Sequence, residues 1–160
     1  MYKGKKILGT MVMDLHAGRN LGRVRNIILD IHQRKISSLI LPGKSWLHPS
    51  IWMDFKFVRD FGADVLIVDP LAKVITTREI NNFKEYIEKG IDSFLGMTVV
   101  SSTGELVGYV EDFFFSIPEG KIEGINLSRG ILGDVLEGWS FIPVKRISTL
   151  SLECIVVQEE

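Results

Sequence analysis

Cysteine is almost absent: Cys154 is the only one in 160 residues. A lone cysteine closes no intramolecular disulfide and rules out a thiolate-rich zinc site. Within Leu152-Glu153-Cys154-Ile155-Val156-Val157 it reads as a small core residue. Long apolar runs are missing too. Val65-Leu66-Ile67-Val68 and Ile27-Ile28-Leu29 are strand-sized, far from the roughly 20 residues of a membrane span, so no span is expected. The start, Met1-Tyr2-Lys3-Gly4-Lys5-Lys6, is basic, but the apolar stretch after it is too short and interrupted for a signal peptide, and a cytoplasmic location is expected. Histidine is scarce. His16, His32 and His48 all fall near turn signals, with no helical i, i+4 pair of the kind that binds zinc. They read as solvated turn residues, and neither metal nor cofactor is expected.

What is present is an internal repeat, the feature that decides a fold when it exists. Leu8-Gly9-Thr10-Met11-Val12 matches Leu95-Gly96-Met97-Thr98-Val99, and Gly18 to Val24 matches Gly104 to Val110. Lys35-Ile36-Ser37-Ser38-Leu39-Ile40-Leu41 matches Lys121-Ile122-Glu123-Gly124-Ile125-Asn126-Leu127. Trp52 to Val58 matches Phe141 to Ile147, and the same register carries Val65-Leu66-Ile67-Val68 onto Cys154-Ile155-Val156-Val157. Four blocks recur in one order, which points to duplication.

Each copy reads as short strands rich in Val, Ile, Leu and Phe, separated by turns. Asn20 and Gly22, or Thr103-Gly104, mark one turn, and Lys35 or Glu119-Gly120-Lys121 the next. Five or six strands per copy suffice for a small closed barrel. Closure matters because a domain of about 70 residues buries only about 60% of its unfolded surface and has little to spare for open edges. Each half is therefore expected to seal its strands around its own apolar centre. Between the copies, Thr76-Thr77-Arg78-Glu79 has the form of a capping box. Ile80, Phe83 and Ile87 come next at helical spacing, Glu85 and Lys89 form an i, i+4 pair, and Gly90 is a natural stop. The spacing predicts one linker helix over 77–89.

On these residues the chain resembles the PRC-barrel superfamily, which includes the cytoplasmic domain of the photosynthetic reaction centre H subunit and the C-terminal domain of a ribosome maturation factor. The resemblance rests on Leu8-Gly9 and Leu95-Gly96 opening each copy, and on Gly22-Arg23-Val24 and Gly108-Tyr109-Val110. The close, Phe141-Ile142-Pro143-Val144 with Ile147 and a last apolar strand, belongs to it too. Ser38-Leu39-Ile40-Leu41-Pro42-Gly43-Lys44 is similar to small single-barrel members of endospore-forming bacteria. Asp54 departs from the pattern where the second copy has Pro143. The resemblance implies an all-β chain of two small PRC-type β-barrels, residues 1–75 and 94–160, joined by a 76–93 linker with one short α-helix. It also implies an interaction role without catalytic residues.

No chemistry is legible in the motifs. Gly43-Lys44-Ser45 looks like the end of a phosphate-binding loop, but Ser38 stands where that pattern needs glycine, so it reads as a turn. Asp14 and His16 lie close together with no serine or cysteine nucleophile suggested nearby. The carboxylates do not repeat: Asp14 aligns with Ser101, and Asp30 with Ser116.

Two features do point outward. The net charge of −1 hides an asymmetry: residues 1–75 hold 12 Lys and Arg against 6 Asp and Glu, residues 94–160 hold 4 against 10. Arg25 even aligns with Glu111, and Arg19 roughly with Glu105. Arg23 and Arg25 share a face if extended, so Arg19, Arg23 and Arg25 are candidate contacts for an anionic partner such as RNA or a ribosome. The second feature is a pair of loops with large apolar residues. Trp46 and Leu47 stand in one, with Trp52 just beyond; Ile131, Leu132 and Trp139 stand in the other. Tryptophan at such places is enriched in interfaces. The expectation is a non-catalytic cytoplasmic adaptor that binds a protein partner through these loops, with self-association as a further use and RNA or ribosome binding as the alternative.

Overall fold

A computed structural model describes residues 1–82, 85, 90–128 and 141–158. The first copy contains β1 (Tyr2–Lys3), β2 (Met11–Asp14), β3 (Arg19–Arg23), β4 (Asn26–Asp30), β5 (Lys35–Leu41), β6 (Ile51–Asp54), β7 (Val58–Phe61), β8 (Val65–Val68) and β9 (Val74–Thr76). After a short helix α1 (Ile91–Phe94), the second contains β10 (Thr98–Ser101), β11 (Leu106–Phe115), β12 (Ile122–Ser128), β13 (Phe141–Pro143), β14 (Ile147–Leu150) and β15 (Cys154–Val157).

The second copy runs β13-β12-β11-β10-β15-β14 across its sheet. The first copy has the same path in two pieces, β3-β2-β8-β7 and β4-β5-β6-β9, because its long second strand breaks at Val24-Arg25. β11 stays continuous through the matching place by a bulge at Glu111. A bulge bends a strand and lets it serve two faces of a small barrel. Each copy has one parallel pairing, β2 with β8 and β10 with β15, and the other pairings are antiparallel. The repeated Leu-Gly has a concrete job. Gly9 and Gly96 take φ of +76° and +80°, which side chains with a Cβ resist. Their N–H groups donate to the Val24 and Val110 carbonyls at 2.8 and 2.7 Å.

The halves are two barrels, but their apolar centres are not separate. One continuous cluster runs from Ile7, Val12 and Leu39 through Phe55, Phe94, Phe113 and Phe115 to Ile155 and Val157. The junction is nearly two-fold symmetric. Ile36 N–H donates to Gly120 O at 2.9 Å, and its counterpart Ile122 N–H donates to Arg34 O at 2.8 Å. The lead-in segments are exchanged as well. β1 pairs with β11 of the second copy, Lys3 opposite Phe114, while Gly90 bridges to Ile28, the residue matching Phe114. The turn Gly4–Ile7 and its counterpart α1 therefore each pack on the second strand of the other half. Two barrels of this size gain buried apolar area by sharing a core, which is why each does not seal around its own centre.

The linker differs from expectation. Glu79 accepts hydrogen bonds from the Thr76 N–H and hydroxyl at 2.7 and 2.8 Å, and these hold its carboxyl below the usual range, the backbone bond contributing most. The box, however, opens only a 3-10 turn, Thr77–Glu79, after which Ile80 is extended and Asn82 is left-handed at φ +58°. Ile80 instead packs on Ile28, Ile40 and Trp52. That contact on the outer face of β4-β5-β6 outweighs helical propensity. Gly90 is the residue from which α1 starts, and Glu85, the one described residue between Asn82 and Gly90, is helical. Phe83, Ile87 and Lys89 lie outside the described residues.

Candidate binding surface

The Trp46 loop follows β5. Leu41 is the last core residue of that strand, and Pro42 then packs beside Gly22 of β3. The loop closes on itself: His48 N–H donates to Ser45 O at 3.0 Å, and Ser45 Oγ lies 2.7 Å from His48 Nδ1. Gly43 sits against the backbone of His48 and Pro49, where no side chain fits. Gly43-Lys44-Ser45 is thus the stem of a tight loop. At its tip Trp46 is 91% exposed and Leu47 65%. Burying an indole or a leucine side chain is worth roughly 1.5–3 kcal/mol, so the loop presents this apolar area at the expense of folding.

Two apolar residues that sequence reasoning passed over are also exposed on the first copy. Leu15 stands in the β2–β3 turn and Leu71 in the β8–β9 loop. Both are held by carboxylates. Asp14, almost wholly buried, accepts the N–H groups of His16 and Ala17 at 3.0 and 3.1 Å. Asp69 accepts Arg59 Nε at 3.0 Å and Leu71 N–H at 2.7 Å. The Arg59 bond, before the Leu71 bond, holds the Asp69 carboxyl below its usual range. Arg19 joins the two segments, 3.7 Å from Asp14 Oδ2 and donating to Pro70 O at 3.3 Å. The sequence signal was available: a leucine inside a polar turn.

Asp14 is explained by its aligned partner. Ser101 Oγ accepts the Thr103 and Glu105 N–H groups at 3.3 and 3.1 Å, so a carboxylate and a hydroxyl cap the same turn in the two copies. Buried backbone N–H groups need such acceptors.

Of the expected anion contacts, Arg23 and Arg25 flank buried Val24 and point outward together. Arg23 also donates to Gly9 O at 3.0 Å, and Arg19 is committed to Asp14. Trp52, grouped with Trp46 on sequence, is only 9% exposed and covered by Ile80. Strand alternation turns it to the outer face of β6, where the linker lies on it, so it is not available beside Trp46. Ile131, Leu132 and Trp139 lie outside the described residues.

Two grooves lie in the first copy's outer surface where it meets the second. One, of about 610 Å³, has Trp52 in its wall and a rim of Lys35, Lys56 and Glu119. The other, of about 540 Å³, lies between Ile28, Ile31 and Leu152. Among the described residues no three His, Cys, Asp or Glu side chains converge as metal ligands, and no helix is long and apolar enough to cross a membrane.

A comparison with curated proteins gives no match. The family model described as "PRC-barrel domain" matches residues 1–75 and again 87–155, the second match starting ahead of α1. With both halves matched and the same strand path in each, the chain belongs to the PRC-barrel family and carries its domain twice.

Proposed function

We propose that the chain is a non-catalytic cytoplasmic adaptor, whose first barrel seats a protein partner on the Trp46–Leu47 loop. The observation that carries this is the exposure of Trp46 at the tip of a loop held by its own hydrogen bonds. A pre-formed aromatic anchor loses little entropy on binding, and tryptophan is enriched among hot-spot residues. Membership of a family of small β-barrel modules supports an interaction role. The partner's complement is an apolar pocket with an acidic rim, since Lys44 stands in the loop beside Trp46.

The test compares wild type with Trp46→Ser and Leu47→Ser. Proteins captured from native cytosol by the wild-type chain are identified, and affinity for the strongest is measured with each variant. Loss of about 2 kcal/mol, near 30-fold in Kd, is expected for Trp46→Ser with thermal stability unchanged. Unaltered affinity, or unfolding by these substitutions, refutes the proposal. A second reading is favoured by the outward pair Arg23 and Arg25: the basic copy contacts RNA or a ribosome. It requires affinity that falls steeply between 50 and 200 mM salt and with Arg23→Ala and Arg25→Ala.

A further inference from the structure

Among the described residues the near two-fold symmetry is broken at one edge. In the first copy β9 lies antiparallel on β6, with Ile51 opposite Thr76, Trp52 opposite Ile75 and Met53 opposite Val74. The segment then turns through Thr77–Glu79 and lays Ile80 on Ile28, Ile40 and Trp52. In the second copy the strand matching β6 is β13, and among the described residues nothing pairs with its outer edge. The outer face beside it is apolar. Phe114, matching Ile28, meets Phe141, matching Trp52, edge-on at 5.2 Å between ring centroids. The Phe141 ring lies over Gly124, where a Cβ would stand 2.5 Å from Cζ. Phe141 is 37% exposed, whereas Trp52, under its cover, is 9%.

We propose that β13 is a strand-addition site, filled by an extended segment of a partner protein in the manner in which β9 fills β6. This surface is separate from the Trp46 loop, and the proposal does not depend on the adaptor reading. The template fixes the occupant's chemistry. It runs antiparallel to β13, places an aliphatic residue opposite Phe141 as Ile75 stands opposite Trp52, and carries a second aliphatic residue a turn later for the Phe114–Phe141 rings. Backbone pairing gives affinity in this mode, and alternate side chains give specificity. Charge selects further. The second half carries 4 Lys and Arg against 10 Asp and Glu, and the template segment carries Lys73 and Arg78 against Glu79, so a strand with a net positive charge is favoured. Pro143 has no N–H and ends the usable edge, which bars a slip in that direction. Two β13 strands from two copies would each bring a proline into so short a pair, which disfavours a second copy as the occupant.

The experiment uses the full chain and a synthetic peptide of residues 72–81, Ala-Lys-Val-Ile-Thr-Thr-Arg-Glu-Ile-Asn, which carries the template itself. Binding is read by fluorescence anisotropy and located by amide shift mapping. Saturable binding is expected, with shifts at Phe114, Gly124, Phe141 and Ile142. Replacing the peptide's isoleucine at position 75 by Asp, or N-methylating its backbone there, should weaken binding at least tenfold while leaving the protein untouched. The proposal is overturned if no saturable binding occurs at millimolar peptide, or if the altered peptides bind equally well. It is overturned equally if the shifts fall at Ile51 to Met53, where the chain's own β9 would be displaced, or if the Phe141–Ile142 amides shift with protein concentration alone, which makes the occupant a second copy.

Discussion

The junction between the copies turns on Gly120 and Phe55, and it invites a double-mutant cycle. Gly120 has φ +69°, and a Cβ there would lie 2.7 Å from Phe55 Cδ1 and 3.2 Å from Ile36 O. For Gly120→Ala the left-handed backbone costs about 1–2 kcal/mol. The overlap with Phe55 adds roughly 1–3 kcal/mol, because a ring that is 1% exposed has nowhere to move. The whole is about 2–5 kcal/mol, a fall of roughly 1–2 M in urea midpoint. Gly104→Ala is the control: φ is +88° and nothing lies within 4 Å, so the conformational part alone is expected. The mirror position shows what relieves the clash. Arg34, matching Gly120, is left-handed at φ +50° with a full side chain, and it faces Val144 where Gly120 faces Phe55. Phe55→Val should cost roughly 2–3 kcal/mol alone as a large-to-small core change. Combined with Gly120→Ala, the total should fall short of the sum by about 1–3 kcal/mol, the overlap no longer being present. Urea denaturation followed by circular dichroism gives all four corners. Additivity within about 0.5 kcal/mol refutes the account, since residues in contact must couple if the clash is what excludes a side chain.

Two further outcomes test the shared architecture. Asp112 Oδ1 accepts Lys5 N–H at 3.0 Å and Phe113 N–H at 2.8 Å, tying the first copy's opening turn to β11. Asp112→Ala should cost about 1–3 kcal/mol in thermal unfolding and Asp112→Asn under about 1, because Asn26 Oδ1 already makes the matching bond to Ile27 N–H at 2.8 Å. Residues 1–82 and 83–160 expressed apart should each fail to fold as a monomer and should recover a cooperative transition on mixing. A cooperatively folded monomeric half would contradict the shared core.

How much of this was legible depends on whether a signal is repeated. The Leu8-Gly9 and Leu95-Gly96 pairs, the apolar blocks and their order could be read directly, because the same backbone constraint is written twice. The strands and turns of each copy followed from them. The sharing of one core could not, since a buried Phe113 or Ile27 looks the same in sequence whether it meets its own half or the other. Nor could the fate of the Thr76–Glu79 box. Its hydrogen bonds form as expected, but Ile80 is drawn onto Trp52, a contact 28 positions away in the chain that no local pattern encodes. Trp46 and Trp52 illustrate the limit for the site. One stands at the tip of the β5–β6 loop and the other just beyond it in β6, and the alternation of β6 and the cover supplied by the linker separate an exposed ring from a buried one.

The places where the copies differ then acquire meaning from what they leave unsupported. Asp14 and Ser101 differ chemically yet cap the same turn, so that divergence is neutral for the fold. Arg25, at the break in the first copy's second strand, and Glu111, at the matching bulge in β11, carry opposite charge outside the core, and no packing demand selects either sign. At β6 and β13 the divergence is of another kind. An apolar outer face persists in both copies, as Ile28 with Trp52 and as Phe114 with Phe141, while the described segment that covers it is present only in the first. A face that served only folding would be expected to turn polar where it stands exposed, as Phe141 does at 37%, because exposed aromatic rings favour association with whatever strand is at hand. Ile40 has its counterpart in Asn126, a change in that direction, but the two rings have not followed. Their retention beside an edge that no described residue pairs with is what makes occupation by a partner strand a stronger account of β13 than drift after duplication.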